Sequence, residues 1–386
     1  MHILHVLSQY EVTGAETYAA ALIACQARAG HRVLLVSDTL NTPVEAEYLA
    51  MGIGRRTYPQ RIHNVLALRR LIRCRCIDLV HAHSRAASWV SFFATRFSRV
   101  PLVSSLHIMQ SPHLSLRLFS VYGEQVVSVT RNIRDQALRV LRLPGERVHV
   151  VRNGVDCERL AAAPTRADAR RTLGLPEEAK VVVLVGRLSG KRTPVAEDAV
   201  SEVFPRVRRA IADARLLVVG GMKMPASFPA LVSETNRRLG ADAVRHVGHQ
   251  ADVRPYLAAA DVVVAAGRSA IEALVVGRPV VALGEACYVG IVCRETADRA
   301  MRTNFGDFAE RGRPDPATAA ADIAALLRDR QRSEALAAWG SAFARRVYDV
   351  RRVWRRLEAI YVDALTLRSH AHRSATAGGP AWASSI

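Results

Sequence analysis

The residues best placed to do chemistry in this chain cluster in the run Gly267-Arg268-Ser269-Ala270-Ile271-Glu272-Ala273-Leu274. The run follows the apolar stretch Asp261-Val262-Val263-Val264 and precedes Gly277-Arg278-Pro279-Val280-Val281. This order predicts a strand, a glycine turn, a short helix and a second strand, with Gly277 and Pro279 ending the helix as a C′ glycine and a following proline do. Such a turn aims backbone N–H groups and the positive end of a helix at whatever sits above the strand, a place suited to a phosphate. Arg268 is a candidate phosphate-directed cation beside it, or a surface arginine at a turn. Ser269-x-x-Glu272 reads as a capping box, in which the glutamate bonds back to the Ser269 N–H. Thr13-x-x-Glu16 has the same form, with Gly14 inside it as a position where the backbone can approach a ligand closely. Two histidine groups stand at strand ends. His107 follows Ser104-Ser105-Leu106, while His81 and His83 flank another strand end, where each lines a ligand cleft or makes structural hydrogen bonds. No His/Cys/Asp group has metal-ligand spacing and no Asp-x-Asp stands in a suitable turn, so chemistry without a metal is expected.

These residues need elements to hold them. Strands are predicted at residues 2–8, 33–36, 79–81, 102–105, 125–129 and 148–152, with a helix opening at Thr13-Gly14-Ala15-Glu16 and stopping at Gly30. After a polar, Ala- and Arg-rich connection over 157–178, the pattern restarts. Strands at 181–185, 216–221, 244–247, 262–265 and 280–283 surround a helix near 195–212. Alternation of this kind predicts two α/β, doubly wound parallel-sheet domains, residues 1–160 and 161–348, with the cleft between them as the default ligand site. Val353, Trp354, Leu357, Ile360, Tyr361 and Leu365 form a helical stripe expected to pack on a core. Residues 367–386, rich in Ser, Ala, Gly and His, are expected to be disordered.

Half of the 386 residues are apolar and 23% are charged, ordinary values for a globular protein. No apolar run approaches the roughly 20 residues of a membrane span. Met1–Leu7 reads as a strand rather than a signal peptide, so a cytoplasmic protein is expected. The six cysteines show no paired zinc spacing. Charge is the unusual property: 54 Lys and Arg against 35 Asp and Glu, a formal +19. That balance implies an anionic partner, either nucleic acid, an acidic bilayer or a phosphorylated substrate, unless it reflects solvated helix faces. No nucleic-acid-binding motif accompanies it, so no nucleic-acid partner is expected. Trp89, Phe92, Phe93, Arg96, Phe97 and Arg99 fit peripheral docking on an acidic membrane, or a helix packing on the first sheet.

Eight motifs occur in a fixed order: Thr13-Gly14-Ala15-Glu16-Thr17, Leu79-Val80-His81-Ala82-His83-Ser84, Val151-Arg152-Asn153-Gly154-Val155-Asp156, Val185-Gly186-Arg187-Leu188, Val247-Gly248, Asp252-Val253 with Tyr256, Ala260-Asp261-Val262, and Ile271-Glu272-Ala273-Leu274 with Gly277-Arg278-Pro279-Val280-Val281. The succession resembles the GT-B glycosyltransferases of the retaining family 4 group, and covers the chain to about residue 365. The resemblance implies transfer of a sugar from a nucleotide-diphosphate donor, UDP- or GDP-linked, to a saccharide or lipid-linked acceptor. It further implies retention of configuration, no cofactor, and a place in cell-surface polysaccharide or lipopolysaccharide assembly. It implies a last helix that crosses back to the first domain, and it makes Arg187 a pyrophosphate cation, with Lys191 or Arg192 as its companion. Glu272 falls where the family binds the ribose hydroxyls, which competes with the capping reading. His107 falls where the family places a histidine near the donor sugar, and the resemblance puts Gly14 and His83 on the acceptor side or at the approach to the donor phosphate. The sequence departs from the family at Val264, eight residues before Glu272, where another glutamate is usual in a Glu-Gly-Phe-Gly loop. Gly267-Arg268-Ser269 must then do the phosphate work from a tighter turn. Two other readings share the fold: a sugar-nucleotide epimerase, for which no acid/base carboxylate set can be assembled, and a degenerate sugar-nucleotide-binding scaffold subunit.

Overall fold

The computed structural model describes residues 1–8, 14–54, 57–110, 120–240, 242–308, 312 and 315–377. Contacts divide the chain into two compact units, one of residues 1–154 with 350–386, the other of residues 155–349. The division falls at Gly154/Val155, a few residues before the expected 160/161 boundary.

In the first unit the chain runs β1 (His2–Val6), α1 (Gly14–Arg28), β2 (Arg32–Ser37), β3 (Glu47–Ala50), α2 (Tyr58–Cys74) and β4 (Leu79–Ala82). It continues through α3 (Arg85–Thr95), β5 (Leu102–Leu106), β6 (Gln125–Ser128), α4 (Arg131–Arg139) and β7 (Val148–Val150). Among the described residues seven strands form one sheet in the order β3-β2-β1-β4-β5-β6-β7. Every pairing in it is parallel. Parallel strands need cover on both faces, which explains their near-continuous apolar runs. Leu4, Val6 and Val80 pack against Leu68 and Ile72 of α2 and Val90 of α3.

The second unit contains α5 (Cys157–Ala161), α6 (Arg166–Leu173), β8 (Lys180–Gly186), α7 (Thr193–Asp198), α8 (Phe204–Ala210), β9 (Ala214–Gly220), α9 (Ser227–Leu239) and β10 (Val244–Gly248). It is completed by α10 (Arg254–Ala259), β11 (Val262–Ala265), α11 (Gly267–Val275), β12 (Val280–Leu283), β13 (Tyr288–Ile291), α12 (Ala297–Arg302), α13 (Pro316–Arg328) and α14 (Arg330–Tyr348). Its sheet runs β10-β9-β8-β11-β12-β13, with β13 antiparallel to β12. Alternate residues of β8 face opposite layers: Val181, Val183 and Val185 meet Ile271 and Leu274, while Val182 and Leu184 meet Phe204 and Val207.

The chain then returns to the first unit as α15 (Val350–Ala377). Val353, Trp354, Leu357 and Tyr361 pack with Ile3, Tyr18, Leu79 and Val103, as the apolar stripe predicted. The helix extends to Ala377, through residues where a disordered tail was expected from 367. Arg368 anchors that stretch on the first unit, donating to Glu124 at 2.7 Å and to the Thr95 and Ser98 carbonyls. Residues 378–386 lie outside those described.

The 157–178 connection is also more ordered than its composition predicts. Asp156 and Thr165 cap α5 and α6 through their side-chain oxygens. Arg170, 1% exposed, donates to Asp261 at 2.7 Å and to the Ala259 carbonyl at 3.1 Å, tying α6 to the second core. Among the described residues no helix is long and apolar enough to cross a membrane.

Candidate functional site

In a doubly wound sheet, ligands bind beyond the carboxyl ends of the strands where the winding direction reverses. In the second unit that point lies between β8 and β11, because β9 continues outward on one side of β8 and β12 on the other side of β11. Gly186 ends β8, and Arg187, exposed, follows it. A 3-10 turn over Gly190–Arg192 then leads into α7, placing Arg192 one turn further on. The Lys191 side chain lies outside what the structure describes.

Across the reversal, α11 begins at Gly267, two residues before the expected opening at Ser269. Gly267 is buried in the left-handed region at φ +56°, and its N–H donates to the Asn304 carbonyl at 3.0 Å. Its N-cap, Ala266, has no capping side chain. The capping reading of Glu272 is therefore corrected. Ser269 lies inside the helix, and Glu272 Oε1 accepts instead from Arg268 Nε at 2.8 Å, one helical turn away. Arg268 and Glu272, 21% and 15% exposed, neutralise each other at the rim of the turn. At the far end Gly277, φ +78°, donates to Leu274 and Arg278 donates to Ala273, the expected glycine stop. Val264 is buried inside β11, as the departure from the family pattern implied.

A residue that sequence reasoning missed completes this place. Asp307, 6% exposed, accepts from Arg192 Nη2 at 2.8 Å, and Arg192 Nε lies 3.5 Å from Glu285 Oε2. Burial pushes the Asp307 carboxyl up to about 6, with Arg192 and Arg187 pulling it down and Glu285 pushing it further up. Its loop is tightly held: Asn304, Phe305 and Gly306 all have positive φ, and the Gly306 carbonyl accepts from the Ala286 and Cys287 N–H groups. Nothing in local sequence grammar marks Asp307. Its signal is tertiary.

The winding of the first unit reverses between β1 and β4, and histidines gather there. His5 lies on β1 opposite His81 on β4, His83 follows β4, and His107 follows β5. Their hydrogen bonds form a chain with one direction. Gln26 Oε1 accepts from His5 Nε2–H at 2.8 Å, so His5 Nδ1 must accept from His83 Nε2–H, also at 2.8 Å. His83 Nδ1 then accepts from His107 Nε2–H at 3.3 Å. On the other branch Gln26 Nε2 donates to Tyr361 Oη, which donates to His81 Nδ1 at 2.6 Å, and His81 Nε2–H donates to Ser105 Oγ.

Burial disfavours the charged ring throughout. It lowers His5 and His107 to about 4 and takes His81 and His83 well below the usual histidine range, so all four are neutral. His83 is 2% exposed with both nitrogens engaged, so it backs His107 rather than lining an acceptor surface. The ring nitrogens of His5, His81 and His83 lie within 4.8 Å of one another, a grouping absent from sequence spacing. Each nitrogen of the three already has a protein partner, which leaves no lone pair for an ion without breaking the chain.

Gly14 is the first residue of α1, exposed, and no described atom comes within 4 Å of where its Cβ would stand. Thr13 lies outside the described residues, and Glu16 accepts from the Asn41 N–H at 2.9 Å. In the aromatic segment, Trp89 and Phe92 pack on the first core and Phe97 is 89% exposed.

Residues 12–159 match the model of Glycosyltransferase Family 4, and residues 179–329 match that of Glycosyl transferases group 1. A D-inositol 3-phosphate glycosyltransferase of Thermobispora bispora is 30% identical over 331 residues, 78% of this chain and 73% of that protein. The chain belongs to glycosyltransferase family 4. A second relative of the same name, from Catenulispora acidiphila, is 32% identical over 53% of the chain, which spans about half, 54%, of that relative's length. Among solved structures, a glycosyltransferase from Rickettsia africae superposes with a TM-score of 0.77 at 16% identity, covering 94% of this chain and 98% of that one. HepE of Anabaena in complex with UDP-glucose gives a TM-score of 0.67 at 21% identity, with 95% and 99% covered. These likenesses establish the GT-B fold of this family 4 glycosyltransferase, two Rossmann-like parallel-sheet units, as its motif order implied.

Proposed function

We propose that this chain transfers a sugar from a nucleoside-diphosphate donor to an acceptor hydroxyl with retention of configuration and without a metal. The observation that carries the reading is the gathering of Arg187, Arg192 and the opening of α11 at the winding reversal of the second unit. Cations and oriented N–H groups there suit a leaving diphosphate, whose charge grows as the bond from sugar C1 to phosphate oxygen breaks. The new bond forms from C1 to the acceptor oxygen, and the acceptor proton passes to the leaving phosphate. Glu272, held by Arg268, serves the ribose hydroxyls. His107, kept neutral by burial and backed by His83, serves the sugar. The UDP and UDP-glucose named for the HepE complexes support a uridine donor, with a guanosine donor as the other candidate.

For the acceptor, the relatives' name supports a phosphorylated polyol, and the motif resemblance supports a saccharide or lipid-linked acceptor of the cell surface. The +19 charge suits an anionic acceptor. The outer face of α2 supports peripheral contact with an acidic bilayer at the cytoplasmic side. Tyr58, Ile62 and Leu66 are 75%, 57% and 59% exposed in one stripe on a helix without an acidic residue.

The test is a turnover panel of UDP- and GDP-sugars with the wild type and Glu272→Ala. Loss of donor affinity of ten-fold or more, with a small change in stability, supports ribose binding. Unchanged affinity returns Glu272 to pairing Arg268. No binding of any nucleoside diphosphate overturns the reading.

A further inference from the structure

The second unit carries a carboxylate where its cations should be free for an anion. Asp307 Oδ2 holds Arg192 at 2.8 Å, while Oδ1 is buried with no hydrogen-bond partner. The space allows little retreat, since a Cβ on Gly267 would lie 2.5 Å from Oδ2. The loop that delivers the acid is held in an uncommon conformation, with Asn304 at φ +50° and the buried Phe305 at φ +57°. Left-handed backbone at a bulky residue persists where its surroundings over-determine it, commonly at a functional site. Here the restraints are the Asn304 carbonyl on the Gly267 N–H and the Gly306 carbonyl on two N–H groups after β12.

We propose that Asp307 belongs to the donor site: it holds Arg192 in position, and it takes up a proton as the diphosphate of a sugar nucleotide binds that guanidinium. The proposal rests on the donor reading of the second unit. Its physics is that of two anions sharing one cation away from water, where one of them protonates. The charged groups facing Asp307 are Arg187 and Arg192 beyond β8 and Glu285 beyond β12. Of these anions the carboxylate is the one that yields, because a sugar-nucleotide diphosphate is a diester with no ionisation near neutral pH. Asp307 starts from about 6, so a modest rise brings its titration to neutral pH. The protonated acid then has an O–H to donate to a diphosphate oxygen, which replaces repulsion by a hydrogen bond.

The experiment is calorimetric binding of UDP-glucose, GDP-mannose and ADP-glucose to the full chain between pH 5.5 and 8.5. Each titration is run in two buffers of different ionisation enthalpy, so that proton uptake is read directly. A rise of one unit on binding corresponds to uptake of about half a proton near pH 6.5, and to affinity about five-fold tighter at pH 6 than at pH 8. Asp307→Asn, neutral at every pH, is expected to bind without uptake and without that pH dependence. Glu285→Gln removes a neighbouring negative charge, and is expected to move the uptake maximum to lower pH. This second variant carries the test if Asp307→Asn does not fold. Binding by the wild type without proton uptake overturns the proposal alone, as does unchanged uptake in Asp307→Asn. Failure of every sugar nucleotide to bind at any pH overturns the donor reading, and the proposal with it.

Discussion

Acidification should unfold the first unit well before the second, and the histidine chain sets the window. His5, His81 and His83 are 0%, 0% and 2% exposed, and burial keeps their rings neutral. In the unfolded chain a histidine titrates near 6.5. Between about pH 6.5 and 4 the unfolded chain therefore binds more protons than the native one, so stability falls as pH falls through that window. For His5, lowered to about 4, the loss at pH 5 relative to pH 8 is about 2 kcal/mol. His81 and His83 lie well below the usual range and contribute in the same direction. Because all three rings act in the same direction, the first unit loses a substantial part of an ordinary domain's stability over this window. Asp307 acts with the opposite sign. Its native carboxyl titrates at about 6, above the unfolded value, so the second unit gains about 1 kcal/mol over the same drop in pH. Native-state hydrogen exchange read by mass spectrometry resolves the two, after correction for intrinsic rates. Peptides covering β1, β4 and β5 are expected to lose protection steeply between pH 6.5 and 5, while those covering β8 and β11 keep theirs. Equal protection of β1 and β4 at pH 8 and pH 5 would refute the reasoning, as would imidazole resonances assigned to His5, His81 or His83 that titrate near 6.5 in the folded protein.

Three further outcomes follow from buried partners. Tyr361→Phe removes the donor to His81 Nδ1 and the acceptor for Gln26, and is expected to lower stability by about 1–3 kcal/mol in urea unfolding while α15 stays packed. Gly267→Ala places a Cβ against Asp307 at φ +56°, and is expected to cost roughly 1–3 kcal/mol and to weaken sugar-nucleotide binding by separating Arg192 from Asp307. Arg170→Met leaves Asp261 with Arg166 and the Val181 N–H but strips the Ala259 and Glu177 carbonyls of their donor, a loss of about 3–5 kcal/mol visible as a lower Tm.

The strands and their order were legible because parallel strands buried on both faces spell themselves as apolar runs. Val181–Val185 and Val262–Ala265 were readable for that reason. β3 was not, since Glu47–Ala50 is a short edge strand exposed at both ends. Nor was β13, which turns back antiparallel within a segment that resembles a loop. The helices α5 and α6 were hidden by their polar composition, because what fixes α6 is a buried arginine reaching an aspartate 91 residues away. The site divides in the same manner. Arg187, Arg192, Glu272 and His107 were named from motif order. His5 looked like any strand residue, since its partners are Gln26 and His83. The start of α11 was misjudged because serine is a good N-cap, whereas the real start is imposed by the Asn304 carbonyl on the Gly267 N–H.

The same long-range contact explains how a chain can lack the usual glutamate before Glu272 and still present an acid beside Arg192. A longer loop after β11 would supply its own backbone N–H groups and its own carboxylate. Here the short turn opens straight into α11 and carries no carboxylate of its own, and the segment after α12 closes over it instead. Asn304 occupies the Gly267 N–H, and Asp307 provides the carboxylate. An acid brought in this way sits on Arg192 rather than on the strand, so its charge is coupled to the cation proposed above to meet the diphosphate. A glutamate at position 264 would lie inside β11, at a buried position facing Phe204 and Val207, and could not restore the lost arrangement. Val264→Glu is accordingly expected to destabilise the second unit by several kcal/mol, as burying an unpaired carboxyl does, and to leave sugar-nucleotide affinity of the folded fraction no better. Tighter binding in that variant, measured by calorimetry on the folded fraction, would show that the short turn alone, and not the Asp307 loop, decides the electrostatics of the site.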